Sequence, residues 1–473
     1  MRQLFSATVA PVADYASPIW YLVAPESSLR LLEQAQRIGA QAIISSFRTV
    51  ALPIAEAEAG VKPLRQRLHD HTLRFWISIH CLSRSHPHAK LARRARKIRR
   101  FLSPLRMAAV LFKDLKVTDI EPITPFACAP WSARPKISIQ GGKEAKEVAT
   151  KAAYRTVDLF TDGSVRNEHA GIGIWSTHCS ISRTVGRAAR TNAHLTELEA
   201  IRVAVTLPTD AVLRLAKVRV FSDSRTALQS IIQPRRGDSQ RLVKEVLQSL
   251  KGKDISLHWM PGHEGVEGNE KAHQLAQKAT EKDSQCAEGS ATRPVSIICA
   301  EAKRLGFKPK VDQFSNTKTG KFTRKMDKAL PGKHTRVLYD RLSRTEASIL
   351  SQVRTDRSRL NSYLSKVGAS DTDRCECGAV ESIPHFLYVC PKWRQQRRDM
   401  REAHGDRWGE LSFALGGYST FVRHGRQVDG DIECWKPNVG AVKATIAFAR
   451  ATGRLDYSPL EATASQPSQP SVD

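Results

Sequence analysis

The feature that most constrains this chain is a change of apolar period between Val157 and Thr280. Val157-Asp-Leu-Phe-Thr-Asp162 alternates with period two, so Val157, Leu159 and Thr161 share one face of a strand and Asp158, Phe160 and Asp162 the other. Gly163 follows as a turn residue, and Gly171-Ile-Gly-Ile-Trp-Ser and Cys179-Ser-Ile-Ser-Arg-Thr-Val continue as two further strands. The period then changes. Leu195, Leu198, Ile201 and Val205 fall at helical spacing, which predicts a helix from about Thr196 with Glu197 in its first turn. Val218-Arg-Val-Phe-Ser-Asp223 is a strand again, and Leu242, Val243, Val246, Leu247 and Leu250 stripe a helix. Ile255-Ser-Leu-His-Trp-Met is the last strand, and a closing helix carries Glu270, His273 and Leu275. Three strands followed by alternating helices and strands predict an α/β domain, a mixed sheet covered by helices.

In that arrangement Asp162 and Asp223 end strands and Glu197 begins a helix. Open α/β sheets place their sites at strand ends. Three carboxylates gathered there repel one another unless cations neutralise them, and hard oxygen ligands suit magnesium or manganese. Two such ions can activate a water and stabilise the leaving oxygen of a phosphodiester. Taken singly, each residue has a plainer role: an aspartate after a strand caps the next helix, and a first-turn glutamate answers the helix dipole. The ordered combination with Trp259-Met-Pro-Gly-His263 favours the metal site.

Charge supports a polyanionic partner. The 473 residues hold 74 Lys and Arg against 47 Asp and Glu, a formal charge of +27, which favours nucleic acid. No apolar run is long enough to cross a membrane and the first residues lack a signal-peptide pattern, so neither a membrane partner nor secretion is expected, and the nucleus is favoured over the cytoplasm. The tract Ala92–Arg100, ARRARKIRR, is the densest positive charge and reads as a nuclear address, a phosphate-contacting strip or a solvated helix face.

Around the central domain, set at residues 156–281, residues 1–115 read as a helical unit, 116–155 as a linker, 298–455 as a helix-rich unit and 456–473 as a disordered tail. Cys375, Cys377, His385 and Cys390 offer three thiols and an imidazole between positions 375 and 390, the ligand count of a structural zinc site. Three buried cysteines beside a satisfied histidine would leave the same pattern. Nearby, Arg394, Arg397 and Arg398 suit phosphate contacts, and Phe386, Tyr388 and Trp393 suit either base stacking or a small core.

Phe160-Thr-Asp162-Gly-Ser, Thr196-Glu197-Leu-Glu-Ala, Phe221-Ser-Asp223-Ser and Trp259-Met-Pro-Gly-His263 through Asn269-Glu-Lys-Ala-His273-Gln-Leu-Ala resemble the four blocks of type 1 ribonuclease H. The resemblance implies a five-stranded mixed sheet of order 3-2-1-4-5 and endonucleolytic cleavage of the RNA strand of RNA–DNA hybrids. It implies metal-binding roles for Asp162, Glu197 and Asp223 and, for His263, a role in moving protons or releasing product; Glu199 competes with Glu197, but Leu198 and Ala200 frame Glu197 as the family does. His273 departs from the family, which usually has a fourth carboxylate there. It is expected to serve as a metal ligand that weakens magnesium binding and favours manganese. A catalytically weak or inactive nucleic-acid binder is the alternative.

Leu4-Phe-Ser-Ala-Thr-Val-Ala-Pro-Val-Ala-Asp-Tyr-Ala-Ser-Pro-Ile-Trp and Gln36-Arg-Ile-Gly-Ala-Gln-Ala-Ile resemble the segment after the polymerase palm in fungal non-LTR (LINE-type, Tad-like) retrotransposon proteins, which end in a similar zinc knuckle. The sequence holds no Asp-Asp pair, so no DNA synthesis is expected, and the chain reads as the C-terminal part of such a protein, with the polymerase portion as a missing partner.

Overall fold

A computed structural model describes the chain apart from residues 96, 98–100, 124–130, 132–133, 152, 235–236, 282–291, 307–318, 424–425 and 457–473. Most of the expected tail and part of the basic tract therefore lie outside the described residues. The chain divides into two units: Thr72–Phe307, and Met1–His71 together with Lys308–Asp473.

The first of these contains one six-stranded sheet: β1 (Lys136–Ser138), β2 (Thr156–Arg166), β3 (His169–Trp175), β4 (Ser180–Arg187), β5 (Lys217–Ser222) and β6 (Ile255–Trp259), in the order β1-β6-β5-β2-β3-β4. The β2-β3-β4 meander is antiparallel, while β5 lies parallel to β2, β6 to β5 and β1 to β6. Seven helices of this unit matter below: α1 (Pro87–Arg94), α2 (Pro104–Leu111), α3 (Gly142–Thr150), α4 (Ala193–Thr206), α5 (Arg225–Ile232), α6 (Gln240–Leu250) and α7 (Glu267–Glu281).

The period-two reading of β2 explains the layering. Leu159 joins Ile172, Ile174, Val218, Val220 and Leu257 in the core under α4, α5 and α6, with Leu198, Ile201, Leu228, Val243 and Val246 from the helices. Phe160 turns the other way, stacks on Phe221 with ring centroids 5.0 Å apart, and packs with Met260, Val266 and Ala272. On that side α7 lies very close to β3: a Cβ on Gly173 would stand 2.0 Å from the Ala272 carbonyl oxygen. A glycine is what lets the strand and helix backbones meet there.

Three expectations need correction here. The segment 116–155, read as a linker, contributes β1 and α3 to the unit. Three residues are too few to show an alternating period, so β1 was invisible; it is an edge strand, supported by Lys136 pairing with Asp254 at 2.7 Å. The five-stranded 3-2-1-4-5 core is present, with β1 added beyond β6. The helix carrying Glu197 also starts earlier than Thr196. Asn192 caps it by accepting from the Leu195 amide at 2.9 Å, so Glu197 sits past the first turn, where the dipole weakens.

The third correction concerns the flanks. The helices Glu26–Ile44 and Leu52–Ala59 share one core with the C-terminal region: Ala40, Ile44, Ile54 and Ala55 are buried with Leu338, Leu350, Val353, Phe386, Leu387, Val442 and Ile446. The expected units 1–115 and 298–455 are thus not two separate bodies, and residues 72–115 belong with the sheet. Apolar stripes say that a helix has a partner but not which one, so this pairing could not be read from local pattern.

A buried ion cluster ties the two segments. Arg354, wholly buried, bonds Glu58 through Nε at 2.6 Å and Asp327 at 2.7 Å, and it also donates to the Leu415 carbonyl. Tyr339 donates to Glu58 at 3.2 Å, and His334 lies 2.7 Å from Asp327. Removing one partner of such a cluster strands the others without water. Arg354→Leu is expected to destabilise this unit by about 3–5 kcal/mol, measured by denaturant unfolding.

Candidate metal and catalytic site

Three elements bring Asp162, Glu197 and Asp223 together. One carboxylate oxygen from each lies within 4.8 Å of the others. Asp162 stands on β2 just past Thr161, the last β2 residue registered with β5, so it sits where the parallel pairing stops although β2 itself runs on to Arg166. Asp223 follows β5 directly, and Ser224, not Asp223, caps α5, leaving the Asp223 carboxylate free of that task. Glu197 reaches the site because β2 carries Gly163, where a Cβ would stand 2.6 Å from the Glu197 amide nitrogen. Gly262 plays the same part for the loop after β6: a Cβ there would meet Asp223 Oδ2 at 2.7 Å.

The electrostatics are those of an anionic pocket waiting for a cation. Burial raises the Glu197 carboxyl well above its usual range, and the charges of Asp162 and Asp223 push it further. Asp223 is raised by burial and by Asp162, against a hydrogen bond from the buried Asn269 amide. Burial also raises Asp162, partly countered by His273 and then His263. Glu197 Oε2 is buried without a hydrogen-bond partner among the described residues. A buried acceptor with no donor asks for an unseen partner, and three carboxylates make that partner a hard divalent cation.

These shifts carry a sign. A carboxyl whose folded pKa is raised stabilises the fold below its unfolded pKa, and that contribution is lost as pH rises through the folded value. With magnesium and manganese omitted, melting the full chain near pH 5 and near pH 8 should therefore show a loss at the higher pH, and Glu197→Gln should shrink that loss. An unchanged pH dependence in the variant would contradict the repulsion.

Glu199, the competitor for the helix position, points elsewhere and is held by Arg202 at 2.6 Å. His273, on α7, is not part of the three-oxygen group. Its Nδ1 lies 3.1 Å from Asp162 Oδ2 and its Nε2 meets the Gln277 amide at 2.5 Å, so both ring nitrogens are engaged. The expected metal ligand is, in this geometry, a hydrogen-bond partner of a carboxylate. His263, in the loop after β6, has a left-handed φ of 58° and packs edge-on against His273 with centroids 5.2 Å apart. Two supports escaped the sequence reading. Gln277 sits one turn beyond His273, a spacing that could have flagged it, whereas Lys146 on α3 donates to the Glu264 carbonyl at 2.6 Å across more than a hundred residues.

In the other unit Cys375, Cys377, His385 and Cys390 also converge within 4.8 Å. Cys375 Sγ lies 3.6 Å from Cys390 Sγ, and Cys377 Sγ 3.3 Å from His385 Nε2. The first distance is far beyond a disulfide bond. It is close to the edge, about 3.8 Å, of a tetrahedron with sulfurs ~2.3 Å from zinc, so the four ligands fit that ion. Burial pushes the Cys375 thiol up to about 11, so a cation is needed to hold it as thiolate at neutral pH. Arg397 is buried and donates to the carbonyls of Phe386, Leu387 and Cys390 at 3.1, 2.7 and 2.9 Å; it supports the loop and is not open to phosphate. Phe386 packs on Phe448 and Tyr388 on Trp408, and Trp393 lies against the same core, so these aromatics build the fold. Arg394 and Arg398 are exposed.

With this geometry in place, comparison with known proteins defines the class of the sheet-bearing region: a family model for RNase H matches residues 154–281, and the chain carries an RNase H domain there. Among solved structures, a ribonuclease H1 isolated from compost by a metagenomic approach is similar at 20% identity and a TM-score of 0.23, covering 27% of this chain and 96% of that one.

Proposed function

We propose that the chain hydrolyses the RNA strand of RNA–DNA hybrids, with Asp162, Glu197 and Asp223 holding two magnesium or manganese ions. The observation that carries this is the convergence of three carboxylates from β2, α4 and the end of β5, one of them with an orphaned buried oxygen. Bound divalent ions would supply a lowered pKa for the attacking water and charge neutralisation at the phosphodiester. The chain's own residues do the rest. Gly163 and Gly262 bring the carboxylates close, Asn269 orients Asp223, and His263, on a loop beside Asp162 and Asp223, handles the proton of the leaving oxygen. RNA in a hybrid should be cut, whereas RNA duplex and single-stranded RNA should not; equal cutting of all three would refute the substrate assignment.

One observation favours a second reading, a weak or inactive nucleic-acid binder: His273 occupies Asp162. We take it as a tuning feature that weakens magnesium relative to manganese. His273→Asp adds a carboxylate and is expected to tighten magnesium binding about tenfold or more, read by calorimetric titration. An unchanged affinity would remove His273 from metal selection.

The cysteine cluster is assigned to structural zinc. The flanking resemblance supports a retroelement-derived protein, and the basic tract supports a nuclear site of action.

A further inference from the structure

The tract Ala92–Arg100 is not used by the cleavage site, yet part of it is built into the same unit. Helix α1 packs through small residues: Ala89, Ala92 and Ala95 are buried, at 1–2% exposure, and α1 lies against α2. Lys90, Arg93 and Arg94 stand on the opposite face of α1 at spacings of three and four residues, and Lys97 lies in the turn just after it; all four are exposed. None of the four pairs with an acidic group among the described residues. From Arg84 to Lys116 the sequence offers a single acidic residue, Asp114.

Like charges at these spacings destabilise a helix by a few tenths of a kcal/mol per pair, and the C-terminal dipole offsets this only in part. No acidic side chain among the described residues offsets the remainder. Beyond α2 the chain is anchored within the same unit. Ile123 donates to the Cys81 carbonyl at 2.7 Å and Glu121 to the Arg293 carbonyl at 2.8 Å. Asp119 receives Arg293 at 2.8 Å and Arg190 at 3.1 Å. Arg190 stands two residues before Asn192, the cap of α4, which carries Glu197. The segment after α2 is thus held at the entry of α4.

We propose that Lys90, Arg93, Arg94 and Lys97 form a phosphate-contacting stripe that grips a nucleic-acid duplex outside the three-carboxylate site. The proposal rests on the hybrid-cleaving reading for the identity of the duplex. From Lys90 to Arg94 the helix spans about 6 Å at 1.5 Å per residue, and a duplex carries one charge per ~1.7 Å, so its three cations meet roughly four phosphate charges, with Lys97 just beyond. An anionic membrane is a poorer fit, because the apolar face of α1 is already buried and an interfacial helix needs that face for lipid.

The test uses the full chain, with Asp162→Asn in the background so that bound hybrid is not consumed. Anisotropy with a labelled hybrid gives Kd across a salt series. Changing Lys90, Arg93, Arg94 and Lys97 together to Gln should flatten the slope of log Kd on log salt by about 3.6 and weaken binding at least tenfold at low salt. A charge-keeping variant (Lys90→Arg, Arg93→Lys, Arg94→Lys, Lys97→Arg) should bind as the parent does. In the chain with Asp162 intact, the Gln variant should cleave saturating hybrid at the parental rate. Unchanged slope and Kd overturn the proposal. So does an equal loss in the charge-keeping variant, which would mark a packing role, or a loss confined to phosphatidylserine vesicles with hybrid binding intact. Slope loss in a chain that never cleaves would sink the hydrolase reading and leave the stripe standing.

Discussion

Asp162→Asn is expected to lower hybrid cleavage by about a thousandfold or more while leaving hybrid affinity within a few-fold of the parent. Asp162 is central to the site: it adjoins Glu197 and Asp223 and receives His273. Asn keeps the volume and one acceptor but removes the charge that would hold a cation. Metal ions supply several kcal/mol of transition-state stabilisation, and each 1.36 kcal/mol is tenfold in rate. Binding depends on cations spread over a chain of net charge +27, so one neutralised carboxylate should not weaken it. Single-turnover rates and equilibrium binding on the same hybrid separate the two effects. Parallel loss of both would mean that the variant is misfolded or that Asp162 holds substrate rather than metal.

Removing metal from the cysteine cluster should act on the other unit and on far-separated segments at once. Structural zinc contributes apparent free energies of about 10–16 kcal/mol in small peptides, comparable to the whole stability of a domain. Here Cys390, Phe386 and Leu387 are buried in the core that also holds Ala40, Ile44 and Ile54. Cys390→Ser, or a strong chelator, is therefore expected to abolish amide protection in Glu26–Ile44 and Val439–Thr452 together, by hydrogen exchange, while β2 and β5 keep theirs. Protection lost only around residues 375–390 would mean that the cluster is a local clip with no hold on the shared core.

What could be read from the sequence follows the range of the forces involved. The strand and helix periods of the sheet-bearing region are local, and they placed Asp162, Glu197 and Asp223 on elements that do meet. The choice between Glu197 and Glu199 came from a resemblance. Its physical basis is that residues two apart on a helix diverge, leaving Glu199 to Arg202 one turn on. The start of α4 was misplaced because the Asn192 cap precedes the first apolar position of the stripe. His273 was read as a ligand because a histidine's chemistry allows it; its hydrogen bond to Asp162, more than a hundred residues away in sequence, was beyond any local pattern. The shared core of the first and last segments depends on contacts such as Glu58 with Arg354, which no period encodes.

The most direct test of the central claim is cleavage of an end-labelled RNA–DNA hybrid by the full chain, in chelator, in magnesium and in manganese, with Asp162→Asn alongside. Expected are no cutting in chelator, cutting of the RNA strand in both metals with manganese the better, and a variant reduced about a thousandfold. Retained hybrid binding with no cutting in either metal would contradict it.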